Sequence, residues 1–175
     1  LAKVTLANER VRLSSAGSLW GNGPSAEDLL DAVRDSGGCS DPIMRQELAA
    51  LKCEAEVLRL NRLRTLTAQL AGRTPGPEAS VQKAMSDDHG QRVMALAKAC
   101  AGTAGMLAGS GPGGRTFDWH FGFLFSPALT IGGGTFAIQR NIVAEKVLGL
   151  PRDHNVEDGL SWRETHLGKA GRNAF

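Results

Sequence analysis

Residues 41–72, DPIMRQELAALKCEAEVLRLNRLRTLTAQLAG, decide the fold class of this 175-residue chain. Asp41 is a good N-cap and Pro42 suits the first helical position, so a helix starts here. The pattern stops at Ala71 and Gly72, ahead of a Pro-Gly-Pro linker. Between these signals the apolar residues are spaced along one long helix, at Ile43, Leu48, Leu51, Leu58, Leu63, Leu66 and Leu70.

Three other segments show helical spacing, at residues 2–20, about 78–101 and 136–148. Glycine- or proline-rich connections separate them, and each helix must bury its apolar stripe against another. The sequence therefore predicts an all-α fold, an antiparallel up-down four-helix bundle with short extra helices. We further expect a short turn capped by Ser25, a flexible loop over residues 102–114, and a polar tail anchored by Trp162.

Composition excludes several classes of function. Lys and Arg number 20 against 18 Asp and Glu, without a clustered basic stripe, so no nucleic-acid partner is expected. The apolar runs are too short for a membrane span. The four histidines lack metal-ligand spacing, so no metal site is expected. Three dispersed cysteines favour reduced thiols in a cytoplasmic protein.

Residues 130–151, TIGGGTFAIQRNIVAEKVLGLP, form the most informative motif. Its glycines, among them Gly133 and Gly134, allow close approach of backbone to a ligand. Thr135 opens a helix whose unpaired N–H groups can face an anion or a flavin edge. A glycine-rich turn capped by threonine is also a common connection between bundle helices. Spacing alone does not separate these two interpretations.

This motif resembles the signature of the acyl-CoA dehydrogenase family, a glycine-threonine turn followed by Ile-Gln-Arg-Asn-Ile and Ala-Glu. The resemblance extends back through WHFGFL at residues 119–124, PGPEAS at 75–80 with Lys83, and LANER at 6–10. It covers the chain to Arg152, which implies a helical domain over residues 1–152 and a separate tail over 153–175. Alternation of aromatic residues over 117–125 would by itself indicate a strand. The family resemblance overrules that indication in favour of helix.

The resemblance implies an FAD-dependent enzyme that desaturates an acyl-CoA thioester, with a glutamate as base and with the flavin near Gly133, Gly134 and Thr135. In many members the base directly precedes the Gly-Thr pair, where this chain has Gly133. Members similar to isovaleryl-CoA dehydrogenase carry it on the first helix of the domain, within a Glu-Arg pair that Glu9 and Arg10 match. Independently, Glu9 lies within an apolar stripe of Ala2, Leu6, Leu13, Ala16 and Trp20, and burial there would raise its pKa toward that of a general base. The alternative is that Glu9 pairs with a neighbouring arginine or lies at an exposed edge of the bundle.

Several positions depart from the family pattern, among them Asp35 and Ala137. Asp35 stands where an arginine usually reaches the flavin diphosphate of a neighbouring subunit, although a one-residue shift would place Arg34 there. Ala137 replaces an acidic or amide residue. These departures resemble hetero-oligomeric, sterol-type members, so we expect a homo- or hetero-tetramer with another acyl-CoA dehydrogenase subunit. Because Leu1 falls inside a helical pattern, we also expect a longer enzyme, of which the 175 residues alone are inactive. The alternatives are a non-catalytic structural subunit and an unrelated helical interaction module.

Overall fold

The computed structural model describes residues 24–73, 76–106, 119–152, 157 and 159–166. These residues contain helices and turns and no strand, which confirms the all-α class. The α-helices are α1 (Ala26–Asp35), α2 (Pro42–Leu70), α3 (Ala79–Cys100), α4 (Trp119–Phe125) and α5 (Phe136–Ile142). Two 3-10 turns, Gly102–Met106 and Ser126–Thr130, and a π turn at Val143–Val147 complete the order.

Local capping sets where the first two helices begin. The Asp28 amide donates to Ser25 Oγ at 3.2 Å and the Ser25 amide donates to Asp28 Oδ2 at 2.9 Å, a reciprocal capping box. The predicted short turn after Ser25 is wrong, because this box starts a ten-residue helix. At α2, Asp41 Oδ1 accepts from the Ile43 amide at 2.8 Å, so the predicted start is confirmed. The predicted end is confirmed as well, with Gly72 in the left-handed region at φ +78°.

α2 and α3 pack antiparallel and carry the core. Glu54 of α2 contacts His89 and Arg92 of α3, whereas Leu58, further along α2, accepts a hydrogen bond from the earlier residue Gln82. The two helices therefore run in opposite directions. α1 and α4 close the same core, whose buried members are Ala26, Leu29, Val33, Leu48, Leu51, Val93, Met94, Leu96, Ala97 and Trp119.

The second half of α2 leaves its apolar stripe uncovered within the described residues. Leu58 is 1% exposed, but Leu63 is 44% exposed and Leu70 is 81% exposed. The prediction that the whole α2 stripe is buried is therefore wrong for this half. Val81 and Gln82 of α3 line a groove beside it, together with Val147.

One prediction about the connections is confirmed and two differ from the structure. Residues 119–125 are helix rather than strand, as the family resemblance indicated. The predicted flexible loop begins as an ordered 3-10 turn at Gly102–Met106, and its remainder, 107–114, lies outside the described residues. Trp162 does not anchor the tail, since it is 68% exposed.

The chain ahead of Pro24, including the predicted helix over residues 2–20, lies outside the described residues. The count of four bundle helices therefore stays a prediction. Among the helices that the structure describes, each is too short or too polar to cross a bilayer.

Candidate functional site

A glycine turn joins the 3-10 turn Ser126–Thr130 to α5. Gly133 and Gly134 have φ values of +70° and +103°, in the region that strongly favours glycine. Thr135 follows as the N-cap of α5, and its Oγ1 accepts from the Ile138 amide at 3.4 Å. The sequence prediction of a glycine turn leading into a threonine-capped helix is therefore confirmed as a local structure.

Gln139 holds this turn from inside. Its side chain is fully buried, and its Nε2 donates to the carbonyl of Gly133 at 2.9 Å and to that of Gly134 at 3.2 Å. A Cβ built on Gly134 would lie 2.6 Å from this nitrogen. Both carbonyls thus face inward, and a side chain at residue 134 would be strained by the positive φ and would require Gln139 to move.

The amides of the same turn are left available. Within the described residues, the N–H groups of Gly133 and Thr135 have no backbone acceptor within hydrogen-bonding geometry. Gln139 Oε1 is likewise buried without a hydrogen-bond partner there. Polar groups of this kind normally find a partner in protein, water or ligand. The turn can therefore donate hydrogen bonds to oxygen or nitrogen acceptors of a bound group, which fits the polar edge of a flavin.

A buried ion pair lies at the entry to the turn. Lys83 of α3 is 0% exposed; its Nζ donates to the Leu129 carbonyl at 2.7 Å and pairs with Asp87. Burial raises the pKa of the Asp87 carboxyl to about 6, although the hydrogen bond and the charge of Lys83 act in the opposite direction. The pair fixes the 3-10 turn against α3 six residues before Thr135.

From the sequence, the buried side chains of Gln139 and Lys83 are recognisable only as residues of family motifs. Both Gln139 and Lys83 lie in the segments that resemble the family, and the sequence predicts no structural role for either. Helical spacing places Lys83 on the same face as Ala79, Gly90, Met94 and Ala97, and a charged residue on that face was the one local signal. Spacing along the sequence could not have identified their hydrogen-bond partners, the carbonyls of Leu129, Gly133 and Gly134.

Of the other residues singled out in the sequence, the structure describes Asp35 and Ala137 but not Glu9. Glu9 lies outside the described residues, so its role as base stays a prediction. Asp35 is the exposed last residue of α1, beside Ser36 and the left-handed Gly37. Ala137 is exposed in the first turn of α5, two residues after Thr135. Across the part of the chain that the structure describes, His, Cys, Asp and Glu form no group of three able to hold a metal ion.

Comparison with known proteins decides the family. The profile of the acyl-CoA dehydrogenase C-terminal domain matches residues 1–148, most of the chain. This chain is an acyl-CoA dehydrogenase C-terminal domain. The acyl-CoA dehydrogenase IpdE1 of Mycobacterium tuberculosis (strain ATCC 25618 / H37Rv) is 32% identical to the domain over 153 residues, 87% of this chain. The domain spans only 38% of that relative's length.

Solved structures agree with this assignment. The acyl-CoA dehydrogenase domain superposes on the Tcur3481-Tcur3483 steroid ACAD with a TM-score of 0.63 and 26% identity, over 73% of this chain and 34% of that one. It matches the ChsE4-ChsE5 complex from Mycobacterium tuberculosis with a TM-score of 0.59 and 26% identity, over 75% of this chain and 38% of the other. The family resemblance inferred from residues 119–151 is confirmed.

Proposed function

We propose that this domain works as the C-terminal part of an FAD-dependent acyl-CoA dehydrogenase, which desaturates an acyl-CoA thioester between its alpha and beta carbons. The observation that carries the proposal is the family match over residues 1–148. The geometry supports it, because the Gln139-held turn presents unpaired amides at the position of the family's glycine-threonine signature. In this proposal residues 1–152 form the domain and 153–175 a tail.

The flavin contacts are assigned to Gly133, Gly134 and Thr135. Glycine at the first two positions permits close backbone approach, and the free amides supply donors. FAD, when bound, accepts the beta hydrogen as hydride. The middle and N-terminal regions of the longer relatives are expected to supply most of the remaining contacts, so the 175 residues alone are expected to be inactive.

The base is assigned to Glu9. Gly133 occupies the alternative base position of the family and has no group able to take a proton. In this proposal Glu9 takes the proton from the carbon alpha to the thioester, because burial of the apolar stripe predicted from the sequence would raise the pKa of its carboxyl. The acyl group is proposed to be bulky and steroid-derived, since the Tcur3481-Tcur3483 relative is a steroid ACAD.

A second subunit of the same family is the proposed partner. Asp35 is exposed at the end of α1. By the family resemblance it stands where an arginine would attract the flavin diphosphate of a neighbouring subunit, and an aspartate there would repel it. A hetero-tetramer whose other subunit supplies the arginine removes this repulsion. The same observation favours a second candidate function, a non-catalytic structural subunit. Family membership leaves no support for an unrelated helical module.

Replacing Glu9 by Gln tests the function directly. In the full-length enzyme, we expect the rate of anaerobic flavin reduction by acyl-CoA to fall by about 10²–10⁴-fold, the usual contribution of a general base. Glu56→Gln, which changes an exposed carboxylate paired with Arg59 on α2, is the matched control and should keep the rate. A wild-type rate in Glu9→Gln would exclude Glu9 as the base. Absence of flavin from the purified assembly would favour the structural subunit.

A further inference from the structure

Lys83 is the most unusual buried side chain in the described structure. A lysine ammonium is strongly hydrated, and it is almost never fully buried unless it is paired. Here it has 0% exposure, and it is held by the Asp87 carboxylate one helical turn away and by the Leu129 carbonyl. Burial of the Lys83 ammonium therefore costs solvation free energy, and the ammonium has two specific partners in return, Asp87 and the Leu129 carbonyl.

Stability alone is a poor explanation for this pair. A buried ion pair is often no better for folding than apolar residues of similar size, because desolvation of both charges offsets their attraction. Two apolar residues at 83 and 87 would satisfy the core equally well. They could not donate a hydrogen bond to the Leu129 carbonyl, which belongs to a residue only 2% exposed. The hydrogen bond to the Leu129 carbonyl is therefore what the Lys83–Asp87 pair provides beyond core packing.

The bonded carbonyl is closely coupled to the glycine turn. Leu129 lies within the 3-10 turn Ser126–Thr130, and the amides of Ile131 and Gly132 both donate to the Ala128 carbonyl, at 3.1 and 3.0 Å. This leaves few free torsions between residue 129 and Gly133. Gln139 then fixes the far side of the turn through Gly133 and Gly134. Lys83 thus holds the N-terminal side of the turn, through Leu129, and Gln139 holds its C-terminal side.

We propose that Lys83, oriented by Asp87, is a positioning residue that fixes the turn 131–135 through the Leu129 carbonyl. The proposal rests on the proposed function, which places that turn against the flavin. Lys83 touches neither cofactor nor substrate in this account. It acts by keeping the Gly133, Gly134 and Thr135 amides in one arrangement, so that these donors need no reordering when a ligand binds.

Hydrogen–deuterium exchange on the full-length protein, freed of flavin, tests the proposal without cofactor contacts. Lys83→Met removes the donor and leaves an unbranched apolar side chain that is one atom shorter. The double variant Lys83→Met with Asp87→Leu also removes the carboxylate that would otherwise stay buried and unpaired. Lys52→Met is the matched control, since it breaks an exposed pair with Glu27 between α1 and α2. The reporters are peptides covering the Ile131 and Gly132 amides, with peptides of α1 as the internal reference.

We expect both Lys83 variants to exchange about tenfold or more faster at the turn, the effect of losing a charged hydrogen bond, while Lys52→Met does not. The double variant is decisive, because it should recover unfolding stability relative to Lys83→Met and still leave the turn unprotected. Recovery of turn protection together with stability would overturn the proposal, as would unchanged exchange in both Lys83 variants. If Lys83→Met does not fold, the double variant carries the test alone. If Glu9→Gln reduced the flavin at the wild-type rate, Glu9 would be excluded as the base. The exchange result at the turn would be unaffected.

Discussion

The side-chain nitrogen of Gln139 lies 2.6 Å from where a Cβ on Gly134 would be, so any larger side chain at 134 requires Gln139 to move. The same nitrogen bonds to the Gly134 carbonyl at 3.2 Å. The turn at the candidate site is therefore fixed by a steric limit and a hydrogen bond that involve the same pair of residues.

Gly134→Ala should destabilise the domain by more than a left-handed conformation alone requires. An alanine at positive φ costs about 1–2 kcal/mol, and here Gln139 must also move and lose its bonds to the turn. Gly149→Ala is the control, because Gly149 has φ +69° with nothing within 4 Å of its Cβ position. Urea denaturation should give the larger loss for Gly134→Ala. Equal losses would show that Gln139 does not constrain the turn.

The Asp87 carboxyl should make stability depend on pH. Its pKa is raised from 3.8 to about 6 in the folded chain, mainly by burial, so the folded state holds a proton that the unfolded state has lost between these values. Its contribution to the free energy of unfolding is therefore complete below pH about 3.8 and is lost as the pH rises through about 6, by on the order of 2–3 kcal/mol. Denaturation of the wild type and of Asp87→Asn from pH 4 to 7 should show this decline in the wild type alone. Parallel curves would contradict it.

The two halves of α2 should respond differently to truncation. Leu58→Ala removes a side chain that is 1% exposed, and we expect a loss of about 2–5 kcal/mol. Leu63→Ala on the same helix changes a side chain that is 44% exposed and should cost less than about 1 kcal/mol in the 175-residue chain. Thermal unfolding followed by circular dichroism would compare them. A similar loss for both would mean that the second half of α2 is covered.

Much of the fold was predictable because its determinants are local. Asp41 and Pro42 mark the start of α2 and Thr135 that of α5, and each acts on residues two or three positions away. Periodicity failed where the pattern was short, since aromatic alternation over 117–125 indicated a strand, and the family resemblance was needed to identify α4. The hydrogen bond from Lys83 to Leu129 joins residues 46 positions apart, a separation at which no spacing rule applies. Burial of Leu63 and Leu70 was overestimated because amphipathic spacing shows which face is apolar but not what covers it.

The isolated chain should bind FAD weakly or not at all. Asp35 and Ala137 stand where the family resemblance implies attractive contacts, and the regions that relatives carry beyond this domain are expected to hold most of the cofactor. Titration of FAD into the 175-residue chain, followed by flavin fluorescence, would measure this. Tight stoichiometric binding would contradict it.

Charge reversal at Asp35 should favour flavin binding by the full-length protein in the absence of a partner. Asp35→Arg exchanges repulsion of a diphosphate for attraction, and we expect the FAD affinity of a homo-oligomer to rise on the order of tenfold. Asp88→Arg, the same change at an exposed site on α3, is the control. Native mass spectrometry would report subunits and flavins together. A wild-type homo-tetramer with one FAD per chain would exclude the need for a different subunit.

The π turn at Val143–Val147 affects how this chain can be compared with its relatives. The Leu148 amide bonds to the carbonyl of Val143, five residues back, so the turn holds one residue more than an α-helical turn. The helix ends with this turn, since Leu148 is no longer helical and Gly149 has a φ of +69°. A relative with a regular α-helical turn here would reach the same end one residue earlier. An alignment without a gap would then offset Leu148 and every later residue by one position.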